Sequence, residues 1–444
     1  MRSALCTLCL MGGVATVPAC TDETTFTSEE RDTLAVYHLP AMPPADPSNR
    51  YSDDVLAAAL GKQFFFDTRF SGSLNPPNDG ESNGSLGVSG TTGRVACYSC
   101  HQPETGGTDH RSRPLATSLG ASYTGRNSPT VINAAYSDVA NGGWQFWDGR
   151  KDSLWSHALG PPESSVEQNG TRLGFAHVIH DHYKAAYEAV FGPLPDLSNT
   201  LRFPSAGKPG DAAFDHMAAA DREAINLVYA SFGKAIEAYE RRLVSTNFEP
   251  SAFDRMLAGD DAAMTAAAVR GAKLFIGKAA CDECHRGPTF SDFKFHNIGC
   301  PQQGDHVLET DVGRSAGIAL VKADVYNRAG VYSDHIDASH LTTLAAAPAD
   351  VGAFKTATLR NLPKTAPYMH DGVYANLWDV VNHYNFGGRT GAYAGTKEAT
   401  IEPLLLDDRE VGDLVEFLRS LDDGPALATP GFPEGLTADP ILPN

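Results

Sequence analysis

Cys97-Tyr98-Ser99-Cys100-His101 and Cys281-Asp282-Glu283-Cys284-His285 are the two stretches on which the reading of this chain turns. A Cys-x-x-Cys pair followed at once by histidine is the pattern that attaches haem covalently. The thiols add across the vinyl groups of the macrocycle, and the adjacent imidazole is left beneath the ring to ligate iron. A zinc knuckle would need a second thiol or histidine pair close by in each half. A redox disulfide would leave the trailing histidine unexplained twice. Two covalently bound haem c groups are therefore expected, on Cys97, Cys100 and His101 and on Cys281, Cys284 and His285, with His101 and His285 as iron ligands.

Working outward, Ala59-Leu60-Gly61-Lys62-Gln63-Phe64-Phe65 precedes the first site and Val269-Arg270-Gly271-Ala272-Lys273-Leu274-Phe275 precedes the second. This internal repeat makes each half a helix leading into an attachment site. Asp53 to Phe65 has helical spacing, with Val55, Leu56, Leu60 and Phe64 on one side and Ser52 as its cap. Gly, Asn, Pro and Ser then dominate to Thr92, which reads as a long loop. Arg222 to Val244 and Asp408 to Leu421 are amphipathic helices, and few stretches alternate with the period of a strand. The expected fold class is mostly α, with two cytochrome c-like haem domains and long loops. The N-terminal haem domain is placed at 52–250 and the C-terminal one at 251–425.

The ends read differently. Met1 and Arg2 lead an apolar run, Ala4 to Val17, too short to span a bilayer, followed by Pro18-Ala19-Cys20. Residues 1–20 are thus an export signal, and Cys20 reads either as a lipid-attachment site or as lying near a simple cleavage point. The protein is expected in the periplasm, free or lipid-anchored. Cys6 and Cys9 fall in the removed segment, and Cys300 is left as a buried thiol. Residues 21–51 are polar and Pro-rich, an extended linker, and 426–444 a surface tail. With 444 residues and 42% hydrophobic content the chain can bury two cores, and a net charge of −19 excludes a nucleic-acid surface.

Further motifs are Arg126-Asn127-Ser128-Pro129-Thr130, Phe146-Trp147-Asp148-Gly149-Arg150, Phe354-Lys355-Thr356 and Thr365-Ala366-Pro367-Tyr368-Met369-His370-Asp371-Gly372. With the two attachment sites, in this order, the chain resembles the bacterial di-haem cytochrome c peroxidase and MauG superfamily over residues 52 to 422. The resemblance implies that Trp147 lies between the haems and relays electrons. It makes Glu167 the acid/base of the peroxide pocket, with Glu163 a solvated neighbour and Pro161 on a further family position. His157 stands where the family has Gln. Classical members block the resting first haem with a His after Ser-Leu-Gly, whereas Ser118-Leu119-Gly120 is followed here by Ala121, so the first haem is expected to be open. His110, on the same loop, is the substitute ligand to consider. At the second haem the MauG branch supplies a Tyr, matched by Tyr384 on a helix from Ala375 whose inward face carries Leu377, Val380 and Val381. Asn127, Thr365 and Pro367 match a calcium site between the haems.

The function so implied is that of the MauG-like, MbnH-like branch. Hydrogen peroxide reacts at the open first haem, and the oxidising equivalents are shared through Trp147 with a His/Tyr-ligated second haem to oxidise side chains, Trp foremost, of an exported partner protein. MauG itself has a Trp just before the second site, where Ala279 and Ala280 stand here. Two other functions stay open: a cytochrome c peroxidase drawing electrons from a small redox protein, and a non-catalytic electron carrier with every axial position filled. His110, His157, His296, His370, His383 and Met369 are the candidates to fill them.

Overall fold

The computed structural model describes residues 23–82, 84–112, 117–137, 139–389 and 391–425. The export signal 1–20 with Cys20, and the tail 426–444, lie outside the described residues. The helix Val55–Phe66 starts where the Asp54 carboxylate accepts the Ala57 amide at 2.8 Å, so Asp54 and not Ser52 is the cap. It lies along the helix Ala219–Glu240, and the two backbones touch at Gly61: a Cβ there would sit 1.8 Å from the Ala235 carbonyl oxygen. The second half repeats the arrangement. Ala266–Phe275, capped by Thr265, packs on Asp408–Arg419, and a Cβ on Gly271 would sit 1.9 Å from the Asp413 carbonyl oxygen. The glycine shared by the two sequence repeats is thus a packing requirement: it lets a second helix backbone pass the one that leads into each Cys-x-x-Cys-His site.

Each crossing seeds a hydrophobic core. In the first, Phe64 and Phe175 stack on Phe232 at 5.1 and 5.3 Å, with Leu60, Tyr229 and Ile236 around them. In the second, Phe275 packs on Phe417 at 5.1 Å among Phe253, Phe290 and Leu414. The cores exchange pieces, since Tyr326 and Tyr332 join the first, and Leu34 and Tyr37 join the second. The stretch expected as an extended linker therefore contains a helix, Ser28–Leu34, started by a reciprocal Thr27–Glu30 capping box. Behind it Tyr37 stacks on Phe290 at 4.4 Å. The polar, Pro-rich composition hid two anchors that tie this segment down.

Among the described residues the only paired strands are Phe295–His296 and Phe354–Lys355, antiparallel, with Phe295 opposite Lys355. The chain is mostly helical with little strand. Helix ends shift by a few residues from expectation, to 219–240, 408–419 and 377–385. No helix among the described residues is long and apolar enough to cross a membrane.

Gly61→Ala and Gly271→Ala should each cost about 1–3 kcal/mol, because backbone rather than a flexible side chain occupies the space. Urea unfolding of the haem-loaded protein measures this, and a loss within about 0.5 kcal/mol at both positions would show that the crossings are not close.

Candidate active site

Each Cys-x-x-Cys-His segment begins with a single 3-10 turn, Cys97–Ser99 and Cys281–Glu283. The amides of His101 and His285 bond back to the carbonyls of Cys97 and Cys281 at 3.0 and 2.9 Å. This places thiols and imidazole on one wall. His101 Nδ1 lies 3.3 Å from the Gly107 carbonyl and His285 Nδ1 2.8 Å from that of Phe290. An imidazole whose Nδ1–H is held by a carbonyl presents Nε2 as a lone pair, the form a metal takes. Burial keeps both rings neutral by lowering their pKa. The cysteines at both sites form no disulfide, and burial pushes the Cys97, Cys100 and Cys281 thiols up to about 12. This donor set fits a covalently held haem at each site.

A cavity of about 460 Å³ opens beside the second site, within the usual size range for cofactor pockets. Cys281, Cys284, His285 and Tyr384 line one part of it, and Trp147, Asn127 and His157 another. Tyr384 projects from the helix Leu377–Asn385, which the Asn376 side chain caps. Burial, then the nearby Cys300, Cys281 and Cys284 thiols, raise its phenol above the usual range, and no hydrogen bond contributes. A core tyrosine would normally bond its hydroxyl to a backbone group. A metal cation in the cavity would reverse the sign of the shift and favour phenolate.

Trp147 is fixed between the two halves. Its indole N–H donates to the Asn127 carbonyl at 2.9 Å, and its own carbonyl accepts the Lys355 amide at 2.8 Å. The next residue, Asp148, takes Arg126 at 2.6 Å and Arg150 at 3.2 Å, while Arg126 binds Asp311 in the other half at 2.7 Å. Burial alone would raise both carboxyls, but Arg150 and Arg126 hold Asp148, and Arg126 holds Asp311, below the carboxylate range. Arg314 closes the loop from outside, donating to the Gly149 carbonyl at 2.9 Å. The Asn127 side chain meets the Pro367 carbonyl at 2.9 Å. Its Oδ1 accepts the Ser128 amide at 3.1 Å, and this oxygen and the Pro367 carbonyl are the two that a hard cation such as calcium would use here. The Thr365 hydroxyl donates to the Leu362 carbonyl, and both its lone pairs and the backbone oxygen are available to such an ion.

Around the first site, the Pro161 carbonyl accepts the Ser164 and Gln168 amides at 3.2 and 3.1 Å, a turn that brings Glu167 back towards Cys100. Burial raises the Glu167 carboxyl pKa, partly offset by Arg150 and a Ser164 hydrogen bond. Ala121 donates its amide to the Glu167 carbonyl at 2.6 Å and is fully buried. The loop that follows Ser118-Leu119-Gly120 thus lies flat on the backbone of Glu167. Glu163, expected to be solvated, instead pairs with the buried Arg172 at 2.7 Å, because that cation projects into the first core and needs a counter-charge.

His157 ends the short helix Leu154–His157, with its ring centre 6.4 Å from that of His101 and 4.3 Å from Phe146. The other candidate histidines have protein partners. His110 bonds Gln102, and His296 sits between Asp292 at 3.1 Å and Glu398 at 3.0 Å. His370 bonds Gln302 at 3.0 Å, and His383 uses both ring nitrogens, on Tyr374 and Ile298. Sequence reasoning missed Asp311 and Arg314, which belong to no motif. It quoted Lys355 without assigning it a role; burial lowers its pKa to about 8, and its ammonium donates to the Trp144 carbonyl at 2.9 Å.

Residues 56–262 match the family described as di-haem cytochrome c peroxidase. A cytochrome-c peroxidase, IdrP1, of Denitromonas iodatirespirans is 32% identical, with 86% of each chain covered. The methylamine utilization protein MauG of Methylorubrum extorquens is 29% identical over 94% of each. Among solved structures, a MauG-like protein associated with microbial copper homeostasis superposes with a TM-score of 0.56 at 25% identity, covering 90% of this chain and 97% of that one.

Arg126→Gln should destabilise the protein by about 3–5 kcal/mol, since it strands the buried Asp311 and leaves Asp148 with Arg150 alone. Denaturant unfolding tests this, and a loss below about 1 kcal/mol would show that Asp148 and Asp311 are satisfied without it.

Proposed function

The chain belongs to the bacterial di-haem cytochrome c peroxidase and MauG family, and from that membership we propose that it uses hydrogen peroxide to oxidise side chains, Trp in particular, of a partner protein. Residues 52–250 would form the peroxide-reactive haem domain on Cys97, Cys100 and His101. Residues 251–425 would form the second, on Cys281, Cys284, His285 and Tyr384. When bound, the haems supply the iron centres that take two electrons from the protein side to reduce peroxide to water. Glu167 accepts a proton from the attacking oxygen and returns it to the departing one, with Pro161 setting the turn that aims it. Trp147 passes electrons between the halves, and Asn127, Thr365 and Pro367 would hold a calcium ion, which would stiffen the Asn127 carbonyl that holds the indole. The family's periplasmic setting agrees with the leader read at 1–20, and lipid on Cys20 would add an anchor.

The observation that carries this reading is the Tyr384 hydroxyl, which lines the His285 cavity with no hydrogen bond acting on it. A phenolate ligand donates charge and favours oxidised iron, which suits storing oxidising equivalents more than collecting electrons. Ala121 adds support, because no histidine at that position has to be released by reduction. The alternative is peroxide removal with electrons from a small redox protein, and the name of the Denitromonas relative favours it.

Tyr384→Phe should abolish the tyrosinate-to-iron absorption of the ferric protein and raise the potential of one haem; an unchanged spectrum would remove Tyr384 from the iron. Glu167→Gln should slow the reaction with peroxide by about 10²-fold or more. In the wild type that rate should fall as pH drops through the Glu167 pKa, because the base must be ionised. Burial places this limb above the ordinary Glu value of about 4.3. A stopped-flow pH profile checks it, and a limb that survives Glu167→Gln belongs to another group.

A further inference from the structure

We propose that Trp378 is the surface terminus of the second haem site, the side chain through which electrons from a partner's aromatic residue enter the protein by way of Tyr368. The inference rests on the reading of the chain as a peroxide-driven oxidant of another protein and goes beyond it by naming where that protein is oxidised.

Placement carries the argument. The chain has four tryptophans. Trp155 is fully buried, Trp144 and Trp147 are partly covered, and Trp378 is exposed, at 40%. Trp378 is the second residue of the helix Leu377–Asn385, the helix that carries Tyr384. Six residues at 1.5 Å each put these two positions about 9 Å apart along the axis. The indole lies against the helix Asp408–Arg419 at Gly412, where an added Cβ would meet its Cζ3 at 3.7 Å, so the ring is seated on a second helix.

Trp378 lines a surface groove of about 760 Å³. Tyr368 and Leu377 line both this groove and the cavity that holds Cys281, His285 and Tyr384. One layer of side chains therefore separates the groove from the second haem site. Leu377 offers nothing to oxidise, whereas the Tyr368 phenol can give up an electron and regain it. Its hydroxyl donates to the Leu362 carbonyl at 2.9 Å and its amide to the Tyr374 carbonyl at 2.8 Å, which fixes the ring in that wall.

The groove also indicates what it takes. Its charged groups are paired with one another, Arg419 with Glu416 at 2.6 Å and Arg409 with Asp413 at 3.9 Å. A wall with an open indole and its charges already paired suits a neutral aromatic side chain, which can stack on the ring. Two electrons leave that side chain one at a time, and with two protons they balance the reduction of one hydrogen peroxide to two waters. With no partner present, the same electrons come from Trp378 itself. One peroxide and one indole then give a hydroxyindole and one water, the added oxygen coming from water.

Full-length, haem-loaded ferric protein treated with hydrogen peroxide alone is the sample, followed by optical spectra and by peptide mass mapping. The wild type should gain one oxygen at Trp378 before Trp144 or Trp155 is modified. Trp378→Phe should lose that product and prolong the oxidised state, and Trp378→Tyr should restore the faster decay. Tyr368→Phe should diminish oxidation at Trp378 although the indole stays exposed, which separates internal transfer from attack by peroxide in solution. An oxidised state that forms but leaves Trp378 unmodified, or that decays alike in wild type and Trp378→Phe, would overturn the proposal alone. So would modification undiminished in Tyr368→Phe. No oxidised state from peroxide would overturn the function on which the proposal rests.

Discussion

Arg126 is buried between two carboxylates from opposite halves of the chain, Asp148 at 2.6 Å and Asp311 at 2.7 Å. Three charges withdrawn from water are tolerated only when each is paired and hydrogen-bonded, so the two halves can meet in one relative position. That position is where Trp147 sits. Its neighbour Asp148 is one arm of the clamp, its carbonyl takes Lys355 from the other half, and its indole reaches Asn127. Electron passage between two sites depends steeply on separation, and a polar lock of this kind fixes the separation better than apolar packing, which lets surfaces slide.

The two attachment sites share a local design and differ in what faces them. Both rest on a helix whose glycine admits a second helix, Gly61 against Ala235 and Gly271 against Asp413. Facing His285 is a cavity with a phenol that no protein group satisfies. Near His101 lies the His157 imidazole, with ring centres 6.4 Å apart, and the Ala121 amide ties its loop to the backbone carbonyl of the buried Glu167.

What could be read in the sequence was chemistry encoded within a few residues: the Cys-x-x-Cys-His sites, the repeated glycine, and motifs such as Phe146 to Arg150. What could not be read depends on contacts distant in the chain. Asp311 and Arg314 carry no local signature, yet they hold the Trp147 loop. Tyr37 sits in a Pro-rich stretch that reads as linker until Phe290 is placed beside it. Glu163 reads as solvated in sequence because its partner, Arg172, lies on the following helix and signals no pairing until the fold is seen. His157 was visible as a departure from the family, but its nearness to His101 was not.

The central claim is that the two haem sites act as one oxidant. The most direct measurement adds one equivalent of hydrogen peroxide to the fully ferric, haem-loaded protein with no reductant and follows the ferric signals of both haems. The account predicts that both signals change together from that single equivalent, and that they return together when a protein or small-molecule electron donor is supplied. A response confined to one haem, or no response until one haem has been reduced, would contradict it.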